Sequence, residues 1–248
     1  MLRKERLRLI LKEINVHNTV LSVELSEKLA VSEDTIRRDL QELAEKGAIV
    51  KVHGGAMSKT FQDPFDEKTK VYALAAKQKI ADKVIKLFKN DMTILVEGGT
   101  TMREIARKIP ANLRATFFSV SPQTAITLSQ HDNLKVMSVG GLLARNGNVF
   151  TGAATVNELA GIQVDLCIIG ANGITKEGLT DSDWEVAQII KAMIRSAKKT
   201  AVATIAEKLG TTKKIKICDL DSIHYLITEM PPGNAAFSSY KGAHLTKL

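Results

Sequence analysis

A small winged helix-turn-helix domain followed by a three-layer α/β domain with a mostly parallel sheet is the fold class this 248-residue sequence predicts. Three observations carry that expectation. The first 57 residues hold three short amphipathic helical patterns and then a glycine-turned hairpin pattern. Beyond about residue 71, short continuous apolar runs alternate with helical patterns, as strands buried on both faces and their crossover helices do. Between these regions, SKTFQDPFDEKT has no period and contains Pro64, which marks a linker. The expected organisation is therefore a head at 1–57, a linker at 58–70, an α/β domain at 71–235 and a loosely packed tail at 236–248.

Leu2–Ile14 places Leu2, Leu7, Leu9, Ile10, Leu11 and Ile14 opposite Arg3, Lys4, Arg6, Arg8 and Lys12, which predicts the first helix. A second helix is expected at Ser22–Ala30, capped by Ser22, with Glu24 in its first turn and Leu25 and Leu29 inward. Ser32 should cap the third, with Glu33 and Asp34 at its positive end and Ile36, Leu40 and Leu43 as its buried stripe. Gly47 closes that helix, and AIVKVHGGAM then reads as a strand, a turn at Gly54-Gly55 and a short return strand.

A helix resumes from Lys70 through AAKQKIADKVIKLF to near Asn90, and strands and helices then alternate. MTILVE, RATFFSV, KVMSVG and DLCIIG read as strands, separated by helical TTMREIARKI, PQTAITLSQ and AATVNELAG. SDWEVAQIIKAMIRSA reads as a longer helix, and TAVATIA, KIKICDL and YLITEM as later strands. The tail AAFSSYKGAHLTKL carries little pattern.

Composition narrows the chemistry. The formal net charge of +8 favours an anionic partner without naming one. The first 60 residues hold eleven Lys and Arg against nine Asp and Glu, so any nucleic-acid role rests on arrangement rather than bulk charge. No apolar run reaches 18 residues, which argues against a membrane span or secretory signal. Cys167 and Cys218 form no CxxC pair and sit in strand-like runs, as buried thiols of a reducing cytoplasm do. No metal-ligand spacing and no serine–histidine triad spacing is present, and His17, His53, His131, His224 and His244 are scattered. Neither a metal, a cofactor nor a catalytic residue is expected.

On the third helix, Thr35, Arg37, Arg38 and Gln41 form a polar face that can offer donors to a major groove, with Asp39 and Glu42 as partners for the arginines. Arginine grips guanine or a phosphate, and the sequence does not say which role Arg37 or Arg38 takes. An arginine pair on a helix is also what an ordinary solvated face looks like. The second helix would cross the backbone, and Lys51 and His53 on the hairpin would reach a phosphate or the minor groove. In the α/β domain, VEGGTT places Gly98, Gly99, Thr100 and Thr101 between a strand and a helix start, a ready phosphate cradle. It is neither a Walker A loop nor a GxGxxG fingerprint, and a plain tight βα turn would read the same. Ser119 and Ser121 end the next strand, Asn172 and Asp181 follow DLCIIG, and Lys208 follows TAVATIA. All lie where open parallel sheets collect ligands.

The stretch VSEDTIRRDLQELAEKGAIVKVHGGA resembles the amino-terminal signature of the DeoR family of bacterial transcriptional regulators. Val31, Ser32, Thr35–Leu40, Gly47 and His53–Ala56 match it, and Ser26 in the preceding helix departs from it. The later loops resemble that family's sensor domain: Glu97–Thr101 in a DSGTT-like loop, Ser119–Ser121 in a TNS-like strand end, and Gly170, Ala171, Gly173 and Ile174 in GAxGI. In a DxSKxG-like motif Lys208 and Gly210 match, but the aspartate is absent and Glu207 replaces the serine. The resemblance implies a winged helix-turn-helix that binds double-stranded operator DNA through Ser32, Thr35, Arg37, Arg38, Gln41, Lys51 and His53. It also implies a sensor domain, similar to sugar-phosphate isomerases, that binds a phosphorylated sugar or related metabolite. The expected function is a cytoplasmic repressor of carbohydrate metabolism genes, at least a dimer. The alternative is an isomerase-like enzyme. Such isomerases place acidic residues where this chain has GANGIT, and Asn172 and Thr175 cannot act as the base, although Glu177, Asp181 and Asp183 lie close by.

Overall fold

The computed structural model describes residues 1–62, 70–144 and 148–248, and the chain divides into two compact units, Met1–Tyr72 and Ala73–Leu248. The expected linker at 58–70 opens with a short helix; Pro64 and Phe65 lie outside the described residues.

The first unit runs α1 (Arg3–His17), β1 (Thr19–Leu21), α2 (Ser22–Leu29), α3 (Glu33–Glu45), β2 (Val50–Val52), β3 (Gly55–Met57) and α4 (Lys59–Gln62). Its sheet is antiparallel in the order β1-β3-β2, with Val20 opposite Ala56 and Lys51 opposite Ala56 on the other side. The hairpin is the expected one; β1 is an addition. It changes the start of α2. The chain enters that helix straight from a strand, Leu21 occupies the cap position, and Ser22 makes no side-chain cap bond. Its N–H instead donates to Gly54 O at 2.8 Å. Ile10, Ile14, Val20, Leu25, Ile36, Leu40, Leu43, Ile49 and Ala56 share one core. The first helix runs one turn past the expected end, because Val16 and His17 are also buried.

The second unit begins with α5 (Leu74–Val84), β4 (Thr93–Val96), α6 (Thr100–Arg107), β5 (Ala115–Ser119), α7 (Pro122–Leu128) and β6 (Leu134–Ser138). It continues through β7 (Leu142–Leu143), β8 (Phe150–Thr151), α8 (Ala153–Ala160), β9 (Leu166–Ile169), β10 (Gly173–Thr175), β11 (Gly178–Asp181) and α9 (Trp184–Arg195). Strands β12 (Thr200–Ala203), β13 (Ile215–Cys218), β14 (Tyr225–Ile227) and β15 (Thr246–Lys247) complete it. Seven strands form one sheet in the order β15-β14-β12-β9-β4-β5-β6, every pair parallel. Helices cover both faces. Leu95, Cys167, Ile169, Val202 and Leu226 pack with Leu159, Val186, Ile189 and Ile190 of α8 and α9 in one core. The alternate residues Ile94, Val96, Ile168, Ala201, Ala203 and Ile227 are buried on the other face, and α5, α6 and α7 pack side by side.

KIKICDL joins a different sheet: β13 pairs antiparallel with β11, which pairs with β10. The tail is not loose. Phe237 and Tyr240 are buried, the Tyr240 hydroxyl donates to Ile174 O at 3.0 Å and accepts from Gly210 N at 2.7 Å, and β15 extends the main sheet. Two aromatic side chains three residues apart anchor it to the core.

Candidate functional site

In the first unit, α3 is held by its ends and by its buried stripe. The Ser32 hydroxyl accepts from Thr35 N at 3.3 Å and lies 2.9 Å from the Thr35 hydroxyl, so these two residues fix the helix start. Ile36, Leu40 and Leu43 are buried, which turns Arg37, Arg38 and Gln41 outward. The two side chains are 65% and 79% exposed and pair with the preceding turn: Arg37 with Glu33 at 3.6 Å, Arg38 with Asp34 at 2.7 Å.

The expected partners Asp39 and Glu42 are engaged elsewhere. Asp39 stands on the buried stripe, where it accepts from Arg6 Nε at 2.5 Å and Nη2 at 3.2 Å and lies 3.9 Å from Arg3. Glu42 takes Arg3 and Lys46. The α1 arginines thus take up both carboxylates. Gln41 donates to Glu45 at 2.8 Å and accepts from Lys51 Nζ at 3.0 Å, tying β2 to α3. His53 is exposed beside the Gly54 turn. Arg3, Arg37, Arg38, Gln41, Glu42 and Glu45 line an open depression of about 490 Å³.

In the second unit, β12, β9, β4 and β5 are adjacent and parallel, so the loops after them gather along one edge of the sheet. Gly99 takes φ 100° ahead of α6, a backbone that favours glycine, and Thr100 and Thr101 are part-buried at the helix start. A Cβ on Gly98 would come within 2.8 Å of Val149 Cγ1 and 3.0 Å of Ser121 Oγ. Ser119 and Ser121 are fully buried and face their own loop: Ser119 Oγ bridges to the Ser121 backbone and Ser121 Oγ donates to Gln123. Their side chains shape the rim rather than project from it.

Charged groups concentrate beside these loops. Glu97 Oε2 accepts from Gly170 N at 2.6 Å; burial, reinforced by Asp181, pushes its carboxyl up to about 7 against that bond. The Lys208 ammonium donates to Ala171 O at 2.7 Å, and burial lowers it to about 8 against the pull of Glu97 and Asp181. Asp181 is buried, its carboxyl raised by burial; it accepts from Asp183 N at 2.8 Å and lies 3.4 Å from Asn172 Nδ2, which also reaches Ser182 Oγ at 3.0 Å. The sequence reading gave Glu97 no role and did not single out Lys77. Lys77 is buried on α5, and burial, aided by Lys208, lowers it to about 7. Its signal was its spacing with Ile80, Ala81 and Val84, which sets a lysine on an otherwise apolar face. Among the described residues no group of His, Cys, Asp and Glu is placed to hold a metal ion, and no helix is long and apolar enough to cross a membrane.

The DeoR-like helix-turn-helix domain model matches residues 6–62, and the DeoR C terminal sensor domain model matches residues 73–230. The chain belongs to the DeoR family. This DeoR-family protein is 30% identical over 244 residues to the HTH-type transcriptional regulator GolR of Listeria innocua, covering 97% of this chain and 96% of that one. It is 29% identical over 228 residues to the glycerol-3-phosphate regulon repressor of Haemophilus influenzae, covering 90% and 89%. Ribose 5-phosphate isomerase A of Methanocaldococcus jannaschii is similar at 19% identity, with 54% and 53% coverage and a TM-score of 0.38. The DeoR-family head is a DNA-binding helix-turn-helix, and its second unit is the family's sensor domain.

Proposed function

We propose that this DeoR-family protein is a cytoplasmic repressor of carbohydrate metabolism genes. It binds operator DNA through α3 and the β2–β3 wing, and a phosphorylated small metabolite at the strand-end rim controls it. One observation carries the DNA assignment: Arg37 and Arg38 stand exposed side by side on a capped helix, each paired with an exposed carboxylate one turn back. Breaking two solvent-exposed i, i+4 pairs to reach DNA costs little. Thr35 and Gln41 flank the arginines, Ser32 fixes the helix start, and Lys51 and His53 extend the polar face along the wing.

At the rim, Gly98 and Gly99 bring backbone N–H groups close to an anion, Thr100 and Thr101 add hydroxyls, and Lys208 supplies charge. Asn172 and Asp181 would read sugar hydroxyls, and Ser119 and Ser121 hold the loop against Gly98. The name of the Haemophilus relative, a glycerol-3-phosphate regulon repressor, supports a phosphate ester as the ligand class. An isomerase role finds less support. The Gly170–Thr175 loop has no acidic side chain, and the rim carboxyls Glu97 and Asp181 are engaged by backbone N–H groups.

A promoter-fragment shift assay tests the DNA reading. Loss of a base-reading arginine costs about 1–3 kcal/mol and relaxes specificity; loss of a phosphate contact weakens all sequences alike and lowers the salt slope by about one. Unchanged operator affinity in the Arg37→Ala, Arg38→Ala double variant would sink the assignment.

A further inference from the structure

An exposed acid stands on the face of α3 that carries the arginines. Glu33, Asp34, Asp39 and Glu42 of this helix each pair with a cation, whereas Glu45 accepts from a side-chain amide: Gln41 Nε2 donates to its Oε1 at 2.8 Å. Gln41 and Glu45 are both exposed and line one depression with Arg37 and Arg38. At its other atom, Gln41 Oε1 accepts from Lys51 Nζ of β2 at 3.0 Å. A carboxylate only accepts and an ammonium only donates, so these two neighbours fix which end of the amide is nitrogen and which is oxygen. Each of those atoms keeps one further hydrogen-bonding position, a second N–H on Nε2 and a second lone pair on Oε1.

We propose that Gln41 reads an adenine in the major groove, and that Glu45 is its positioning residue, holding the amide in the orientation that fits this base. The proposal rests on α3 being the DNA-reading helix and deepens that reading. Adenine is the base whose major-groove edge sets an acceptor, N7, beside a donor, the N6 amino group. An amide with both ends fixed meets the two together. Guanine presents two acceptors there, N7 and O6, so the carbonyl of a fixed amide would face an oxygen, whereas an amide free to turn could donate to it. On DNA the Lys51 ammonium turns to a phosphate, which leaves Glu45 as the group that holds the amide. Phosphates repel Glu45, so it stays on Gln41. The acid thereby lowers affinity for DNA in general and sharpens the choice between the two purines.

Selection from a randomised duplex pool by the full chain gives the preferred bases, and repeating it with Gln41→Ala marks the position that Gln41 reads. That position should hold adenine, with the preference lost in the variant. Duplexes with adenine or guanine there are then compared by shift assay, and the wild type should favour adenine about tenfold. Glu45→Gln can offer either end of its own amide to Gln41, so it should bring that ratio close to one. It also removes a negative charge from the face, so affinity for unrelated duplex at low salt should rise about twofold. Damage to the helix would lower both. A base other than adenine, a ratio unchanged in Glu45→Gln, or a ratio that falls together with affinity for unrelated duplex would each overturn the proposal. Selection that collapses in the Arg37→Ala, Arg38→Ala double variant, with no position altered by Gln41→Ala, would leave α3 as the reading helix and remove Gln41 and Glu45 from the reading. Selection indifferent to all of these substitutions would remove α3 itself.

Discussion

Asp39 illustrates how one buried carboxylate sets a site it does not line. It lies on the apolar stripe of α3 and grips Arg6, whose side chain is 12% exposed. Asp39→Ala should destabilise the head by about 2–3 kcal/mol, below the range for breaking a fully buried pair, because Arg6 can turn toward water. Denaturant melts would register this, and operator affinity should fall with it although Asp39 faces away from solvent. A melt unchanged from wild type would contradict the role given to the pair. Glu97 makes a second residue-scale case, through pH. Its folded carboxyl holds a proton up to about 7, whereas the unfolded chain releases it near 4.5. Between those values the unfolded state binds fewer protons, so stability falls as pH rises, by at most about 1.4 kcal/mol per pH unit. Glu97→Gln keeps an oxygen for Gly170 N and has no proton to lose. It should match wild type near the lower pH and exceed it above the upper one; parallel curves for the two proteins would refute the assignment. Lys77 and Lys208 act in a separate window, since lowered ammonium groups make stability rise only as pH climbs from about 7 and 8 toward 10.5.

At the scale of elements, the wing gives the sharpest test. Lys51 on β2 reaches Gln41 on α3, so the hairpin and the helix present one surface. Lys51→Ala should lower operator affinity for all sequences alike and reduce the salt slope by about one, with base preference retained. A change in base preference without a change in salt slope would mean that Lys51 reads sequence through Gln41 instead. The elements that carry these sites were legible where a period ran long enough. Ile36, Leu40 and Leu43 announced α3, and the parallel strands announced themselves as apolar runs. Strand β1 was not legible, because Thr19–Leu21 is too short for any period and exists only by pairing with β3. Strands β10 and β11 turn at Lys176-Glu177, without the glycine or asparagine that flags a hairpin. KIKIC was legible as a strand but not as a member of the small sheet, since partner choice is tertiary. The partners of Arg37 and Arg38 were misjudged for a related reason: helical spacing shows which residues share a face, and it took the fold to show α1 supplying rival cations for Asp39 and Glu42.

The whole molecule must join a small DNA-reading head to a larger sensing unit, and both parts constrain how it works. A single head of this size offers few base contacts, so specific operator recognition calls for two heads linked in one oligomer, whose half-sites should lie about 34–36 Å apart or at multiples of that spacing. Sedimentation showing only monomers in a preparation that binds operator would rule this out. Control by the effector then obeys linkage. A phosphorylated metabolite that releases the repressor must bind the DNA-free form more tightly, and the ratio of its two affinities equals the factor by which it weakens operator binding. Typical couplings of about 1–3 kcal/mol correspond to about 5–150-fold. The effector should therefore bind the protein–operator complex that many times more weakly than the free protein, and Lys208→Ala should lower effector affinity while leaving affinity for operator without effector unchanged. Calorimetry of the sugar phosphate against free protein and against the operator complex measures one side of the relation, and shift assays with and without the sugar phosphate measure the other. Equal effector affinity for the two forms would exclude the rim as the controlling site, however tightly the metabolite bound there, because a ligand indifferent to the two states shifts neither.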